Sequence, residues 1–279
     1  MNQDRPIIGI APGRVFPGTW WDMVELCQRL GFAGVEFKHE LPFILPDRWG
    51  PEMVHRIAQL GREEELVFSL HGPYTNIGAL LPNRWKEAVD EHLRALECAE
   101  ELGASTYTVH PGWVEKKYAT PDLVARCRDN TTRALERMST QADSLTICVE
   151  NQNPAEADKA KCGFTVEQLR KIVDGLNPVG FTLDVGHAQL LDGRPDQFLQ
   201  TLGPTRIRVG HLHDNGGEAD DHLPPGQGIV DWVMFLAAYR RHRCTFPLYL
   251  ELAGGADGYA SGRDLLQRTW DELATEGDS

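Results

Sequence analysis

Six short apolar runs in this chain end on a histidine or a carboxylate. FSLHGPY carries His71, YTVHPG carries His110, ICVENQN carries Glu150, and FTLDVGH carries Asp184 followed by His187. RVGHLHDN carries His211 and His213, and LYLELAG carries Glu251. Imidazole nitrogens and carboxylate oxygens together form the ligand set of Zn²⁺ or Mn²⁺. One such residue alone reads as a hydrogen-bonded core group. Six run ends of the same kind call for a shared location. Carboxylates ~4 Å apart repel by several kcal/mol at an effective dielectric near 20, so a converging cluster needs cations. The following loop, HLHDNGGEADDHLPPGQGIVDW, adds Asp220 and His222 as a D-x-H pair able to clamp one ion. Its plainer reading is a solvated acidic loop. Pro224 and Pro225 restrict its backbone, and Asp231 is placed to cap the next helix.

The elements that must position these groups alternate along the chain. Strands are expected at 7–11, 34–38, 66–71, 105–110, 145–150, 179–184, 207–213 and 247–252. Amphipathic helices are expected at 20–30, 51–65, 84–102, 121–142, 166–174, 195–202, 231–242 and 262–274. Prolines near helix starts (Pro51, Pro82, Pro121, Pro195) and glycines after helix ends (Gly31, Gly103, Gly175) punctuate the pattern. Eight strand–helix units without a linker predict one α/β domain over residues 1–279, a (β/α)8 TIM barrel. A doubly wound open sheet is the competing architecture. Ala11-Pro12-Gly13-Arg14 after the first strand is not a phosphate-binding glycine loop.

Strand alternation sharpens the expectation. If Asp184 faces the barrel interior, so does Thr182, while Phe181 and Leu183 face the helices. The same parity groups His71 with Ser69, His110 with Thr108, Glu150 with Cys148 and Glu251 with Tyr249. All the candidates then meet at the C-terminal mouth, where barrel enzymes do their chemistry.

Lys plus Arg total 28 against 41 Asp plus Glu, a formal charge of −13 that disfavours nucleic acid as a partner. The start of the chain lacks signal-peptide character and no run is long enough to span a bilayer, so a cytoplasmic location with no membrane partner is expected. Six scattered cysteines without a C-x-x-C pair read as reduced, buried thiols.

With these motifs in place, the chain resembles the xylose isomerase-like barrels, which include the AP endonuclease 2 (endonuclease IV) branch and the sugar phosphate isomerases and epimerases. The similarity runs from the second to the last strand, including HGPYTNIG and the stretch from ENQNP to GFTVEQLRKIVDGL. The resemblance to endonuclease IV implies a three-zinc set. In it, His71, His110, Glu150, Asp184, His187, His211, Asp220, His222 and Glu251 are the metal ligands and Glu150 bridges two ions. The resemblance to the isomerases implies one ion held by Glu150, Asp184, His211 and Glu251. Two departures stand out. Epimerases of this kind tend to carry a substrate-binding arginine where His222 stands, and the DNA-penetrating loop of endonuclease IV has no match in KHELPFILPDRWG.

The leading expectation is a hydrolase that cleaves a phosphoester or phosphodiester of a small or mid-sized molecule. It would use two or three divalent ions, Zn²⁺ or Mn²⁺, that stabilise attacking and leaving oxygens. A phosphodiesterase remodelling the nucleotide loop of cobamides is one candidate that the resemblance suggests. The alternative is a single-metal sugar or sugar-phosphate isomerase or epimerase. A DNA repair nuclease and a non-catalytic metal-binding barrel rank below both. The candidate catalytic residues are Glu150, Glu251 and His187. Tyr74, His213 and Glu156 are expected to touch a small substrate, phosphorylated or sugar-like.

Overall fold

The computed structural model describes residues 5–13, 16–154 and 156–276. Arg14 of the Ala11–Arg14 stretch, the first four residues and the last three lie outside them. The central sheet closes on itself in the order β1 (Ile8–Pro12), β2 (Gly34–Lys38), β3 (Val67–His71), β4 (Thr106–Val109), β6 (Thr146–Glu150), β8 (Gly180–Asp184), β9 (Ile207–Leu212) and β10 (Leu248–Leu252). Every neighbouring pair is parallel, and β10 returns to β1. This is the expected (β/α)8 barrel, and all eight expected strands are present within a residue or two.

The outer wall consists of α1 (Trp20–Leu30), α2 (Pro51–Glu63), α3 (Pro82–Leu102), α4 (Pro121–Ser139), α5 (Val166–Val173), α7 (Pro195–Leu202), α8 (Trp232–Arg241) and α9 (Ala256–Glu276). Local chemistry sets their ends. Thr19 and Thr165 close capping boxes, Asp231 accepts from the Met234 amide, and Gly31 and Gly103 terminate helices in the left-handed region. Phe37, Leu70, Val109, Val149, Phe181, Leu183 and Leu250 are buried in the continuous apolar layer between barrel and helices. Inside the barrel lies a separate cluster of Ala11, Cys148, Val209 and Tyr249. The side chains of Thr108 and Thr182 meet across the barrel at 2.9 Å. The predicted parity therefore holds, and it carries the site residues to one rim.

A helix and a two-stranded ribbon were not foreseen. Helix α6 (Val185–Asp192) follows β8 directly, capped by Asp184, which accepts from the His187 amide at 2.7 Å. Its sequence, VGHAQLLD, has no polar face to reveal a helical period. A two-stranded ribbon pairs β5 (Trp113–Glu115) with β7 (Lys159–Lys161) in antiparallel register. Its strands are too short and too distant in sequence to leave a local signal. No described helix is long and apolar enough to cross a membrane. The six cysteines are unpaired, and five of them are buried.

Candidate metal centre and active site

Glu150, at the end of β6, occupies the middle of the mouth and is 1 % exposed. Its Oε2 faces His110 Nε2 at 3.0 Å and His71 Nε2 at 3.4 Å. Its Oε1 faces His187 Nδ1 and His211 Nδ1, each at 3.5 Å. One carboxylate therefore reaches both halves of the cluster. His211 Nδ1 also lies 3.3 Å from Glu251 Oε2 and 3.9 Å from Asp184 Oδ2. Glu150, Asp184, His211 and Glu251 form a buried tetrad whose donor atoms all lie within 4.8 Å of one another. His71, His110 and Glu150 form a second such group.

The D-x-H pair completes the ring from the loop after β9. That loop hangs on buried Asp214, whose carboxylate accepts from the amides of Asn215, Gly226 and Val230 and from the Trp232 indole. Asp214 also bridges to Leu223 through the backbone. The loop is folded down, so Asp220 Oδ2 lies 3.1 Å from His187 Nε2 and 3.4 Å from His222 Nε2. His213, expected as a substrate contact, is fully buried instead. Its Nε2 lies 3.1 Å from Asp184 Oδ1 and 3.5 Å from Asp220 Oδ1, and its ring stacks on His222. A β-carbon at Gly186 would fall 1.9 Å from that ring, so only glycine leaves it room. His213 joins Asp184 and His187 in one ligand-sized group and Asp220 and His222 in another.

Carbonyl oxygens orient the rings. His71 Nδ1 faces Gly72 O, His187 Nδ1 faces Asn151 O and His222 Nδ1 faces Glu251 O, each at 2.8 Å. A nitrogen facing a carbonyl must carry a proton, which makes Nε2 of each ring the atom turned toward the carboxylates of the mouth and able to bind a metal.

Two residues escaped the sequence reading, both on β2. Glu36 Oε1 lies 2.8 Å from His211 Nε2, and Glu36 Oε2 accepts from Ser69 Oγ at 2.7 Å. Lys38 Nζ pairs with Glu251 Oε1, the oxygen turned away from His211. The parity that exposed the other strands was available in GVEFK, where positions 36 and 38 share a face. The strand was passed over because Lys38, unlike the other strand ends, is not a ligand type.

Buried atoms without hydrogen-bond partners test whether cations fit. Asp184 Oδ2, Asp220 Oδ1 and His211 Nδ1 are such atoms, their nearest charged neighbours standing at 3.3 Å or more. Buried polar groups are normally paired, and donor atoms left unpaired together at one rim fit a metal centre. The charges agree. Burial alone would raise the Glu150 carboxyl, but His110 and His211 outweigh it and hold it well below the ordinary range. Burial likewise opposes charge on His187 and His222. Asp184 and Asp220 push His187 up to about 10, and Asp220 and Glu251 push His222 up to about 9. Protons on these imidazoles offset the carboxylates. A divalent ion would replace them.

The cavity above the cluster measures 540 Å³, within the ~300–1,000 Å³ typical of small-molecule sites. Its floor includes His71, His110, Glu150, His187, Asp220, His222, Glu251 and Lys38. Its far wall is Tyr74, Glu156, Lys159 and Lys161. The Tyr74 hydroxyl donates to Glu156 Oε2 at 3.1 Å, and its ring stands edge-on to His110. All the expected site residues thus lie at one mouth. Each lines the cavity except Asp184, His211 and His213, which lie beneath it.

A closed parallel barrel with a histidine–carboxylate cluster at its C-terminal rim defines the class. Residues 24–269 match the model of the xylose isomerase-like TIM barrel family, and the chain belongs to that family. An uncharacterised protein of Methanocaldococcus jannaschii is 29% identical over 193 residues, covering 67% of this chain and 64% of the relative. The chain thus spans less than two thirds of that relative's length. A crystal structure of a D-tagatose 3-epimerase-like protein superposes with a TM-score of 0.83 at 22% identity, covering 96% of this chain and 98% of that one. Endonuclease IV from Thermus thermophilus superposes at 0.73 and 23% identity, covering 96% and 100%. At these identities the likenesses establish the fold.

Proposed function

We propose that the chain is a divalent-metal-dependent isomerase or epimerase of a small sugar-like substrate. The observation that carries this reading is the buried tetrad of Glu150, Asp184, His211 and Glu251. Its four donors would suffice for one ion, two of them are glutamates, and a cavity lies above. Sugar epimerases among the structural neighbours weigh the same way, and more than they weigh toward phosphoester hydrolysis. The tetrad would hold a Zn²⁺- or Mn²⁺-like ion, which when bound polarises a carbonyl or hydroxyl oxygen of the substrate. Glu150 and Glu251 are the groups placed to take and return a proton at carbon. Lys38 keeps Glu251 ionised and turned. Tyr74 and Glu156 close the cavity around the rest of the molecule.

A second reading, the hydrolase of a phosphoester, has one specific observation in its favour. Six further donors, His71, His110, His187, His213, Asp220 and His222, exceed what one ion needs. Together with Glu150 they would be enough to hold two or three ions.

One experiment separates the readings. Enzyme purified without chelator is assayed for metal content and run against a panel of ketoses, ketose phosphates and phosphodiesters. The isomerase reading expects about one ion per chain and interconversion of a ketose or its phosphate. It also expects His110→Ala and His222→Ala to retain measurable turnover. About three ions, phosphodiester cleavage and abolition of activity by either substitution would replace it with the hydrolase.

A further inference from the structure

The wall facing the metal cluster carries a feature that neither reading uses. Lys159 and Lys161 stand two apart on β7, so both project from the same face of the ribbon while Ala160 projects from the other. That face lines the cavity. Both ammonium groups share one carboxylate. Lys159 Nζ lies 2.5 Å from Glu156 Oε1, and Lys161 Nζ lies 2.7 Å from Glu156 Oε2. Lys161 is 6 % exposed along its side chain and Lys159 is 19 % exposed. The remaining contacts are neutral. Lys161 donates to Asn153 O at 2.9 Å, and Lys159 donates to the Tyr74 hydroxyl at 3.4 Å and sits over the Tyr74 and Trp113 rings.

One buried and one partly buried cation against one carboxylate leave a positive charge among the described residues. Withdrawing such a charge from water costs several kcal/mol unless an anion meets it. Aromatic faces offset a part of that. The chain as a whole is strongly acidic, so retaining a local surplus of lysine at the cavity wall is informative.

We infer that Lys159 and Lys161 form an anion subsite, and that the substrate is a sugar-like molecule carrying a phosphate or carboxylate. Its polar carbon framework lies on the tetrad, and its anionic group lies against β7, joining Glu156 between the two ammonium groups. Trp113 and Tyr74, stacked at 5.4 Å, give that end of the cavity a rigid apolar side. The inference rests on the sugar-type reading for the reacting end, but the subsite is tested by binding.

Calorimetric titration of the metal-loaded protein with D-fructose and D-fructose 6-phosphate reads the subsite directly, with D-glucose and D-glucuronate as the carboxylate arm. The expected result is tighter binding of an anionic probe than of its neutral counterpart by about tenfold or more, the order that a charge-assisted hydrogen bond gives. That ratio should fall to about one in the Lys159→Gln/Lys161→Gln double variant and survive in the Arg double variant, with metal content unchanged in both. The single variants, expected to lose part of the ratio, serve if the double does not fold. The arm that shows the preference says whether phosphate or carboxylate is held. No binding of either anionic probe, no preference in the wild type, or a preference untouched by the lysine changes (the signature of anions gripped by metal alone) would overturn the inference. Turnover assays keep the two claims apart. A lysine-dependent anion preference without ketose turnover would sink the isomerase reading and leave the subsite standing. Turnover of neutral ketoses without that preference would do the reverse.

Discussion

Several donors at the mouth are held by partners outside the cluster, and in the Glu36–His211 pair both residues are fully buried. Glu36 is fully buried and turns the only histidine of the tetrad toward Glu150, Asp184 and Glu251. Burial would raise its carboxyl, but His211 and His71 reverse that and hold it ionised below the ordinary range. A carboxylate behind a ligating imidazole typically contributes 10–100-fold to metal affinity. Glu36→Gln is therefore expected to weaken binding at the tetrad by about that factor while the barrel still folds. Competition with a fluorescent chelator measures it, and an unchanged affinity would deny Glu36 this role. The residue scale is also where the sequence was most legible. The strand-end positions 71, 110, 150, 184, 187, 211 and 251 and the D-x-H pair all reach one rim. Glu36 and Lys38 were missed because charged residues beneath or beside a ligand shell look like ordinary strand residues until a partner faces them.

The elements place these groups with little freedom. Strand parity fixes which residues enter the lumen, and the capped start of α6 delivers His187 against Asp184 and Glu150. The loop after β9 is stiffened at buried Asp214 rather than left to drift. The packing of α3 on β4 carries a titratable marker. His92 on α3 is fully buried, with Nδ1 2.7 Å from the Tyr107 hydroxyl of β4. Burial, with the His110 and His71 charges adding to it, lowers its pKa to about 3. In the unfolded chain it would titrate near 6.5. A depressed pKa means the native state is favoured in full above pH 6.5 and loses that contribution as pH falls toward 3. Urea unfolding of wild type and His92→Gln at pH 7 and pH 5.5 tests the sign. The wild type should lose more stability than the variant, by up to ~1.4 kcal/mol per pH unit. Equal losses would contradict it. At this scale the strands were legible from their apolar runs. Helix α6 and the β5–β7 ribbon were not, because one has no polar face and the other is joined only by tertiary contact.

Over the whole molecule, an acidic barrel concentrates carboxylates at one mouth and balances them there with imidazoles and Lys38. Composition anticipated the acidic field, and the strand–helix alternation anticipated the barrel. It could not anticipate the lysine pair on the far wall, which gains meaning only once the ribbon turns it inward. The proposed chemistry depends on that mouth holding divalent cations. The most direct measurement is elemental analysis of protein purified without chelator, followed by exhaustive chelation and add-back, with thermal unfolding recorded at each stage. At least one zinc- or manganese-like ion per chain should be present. Removal should lower the melting temperature and abolish substrate conversion, and add-back should restore both. Protein that carries no divalent metal, or that keeps its melting temperature and full turnover after chelation, would contradict a metal centre at this rim.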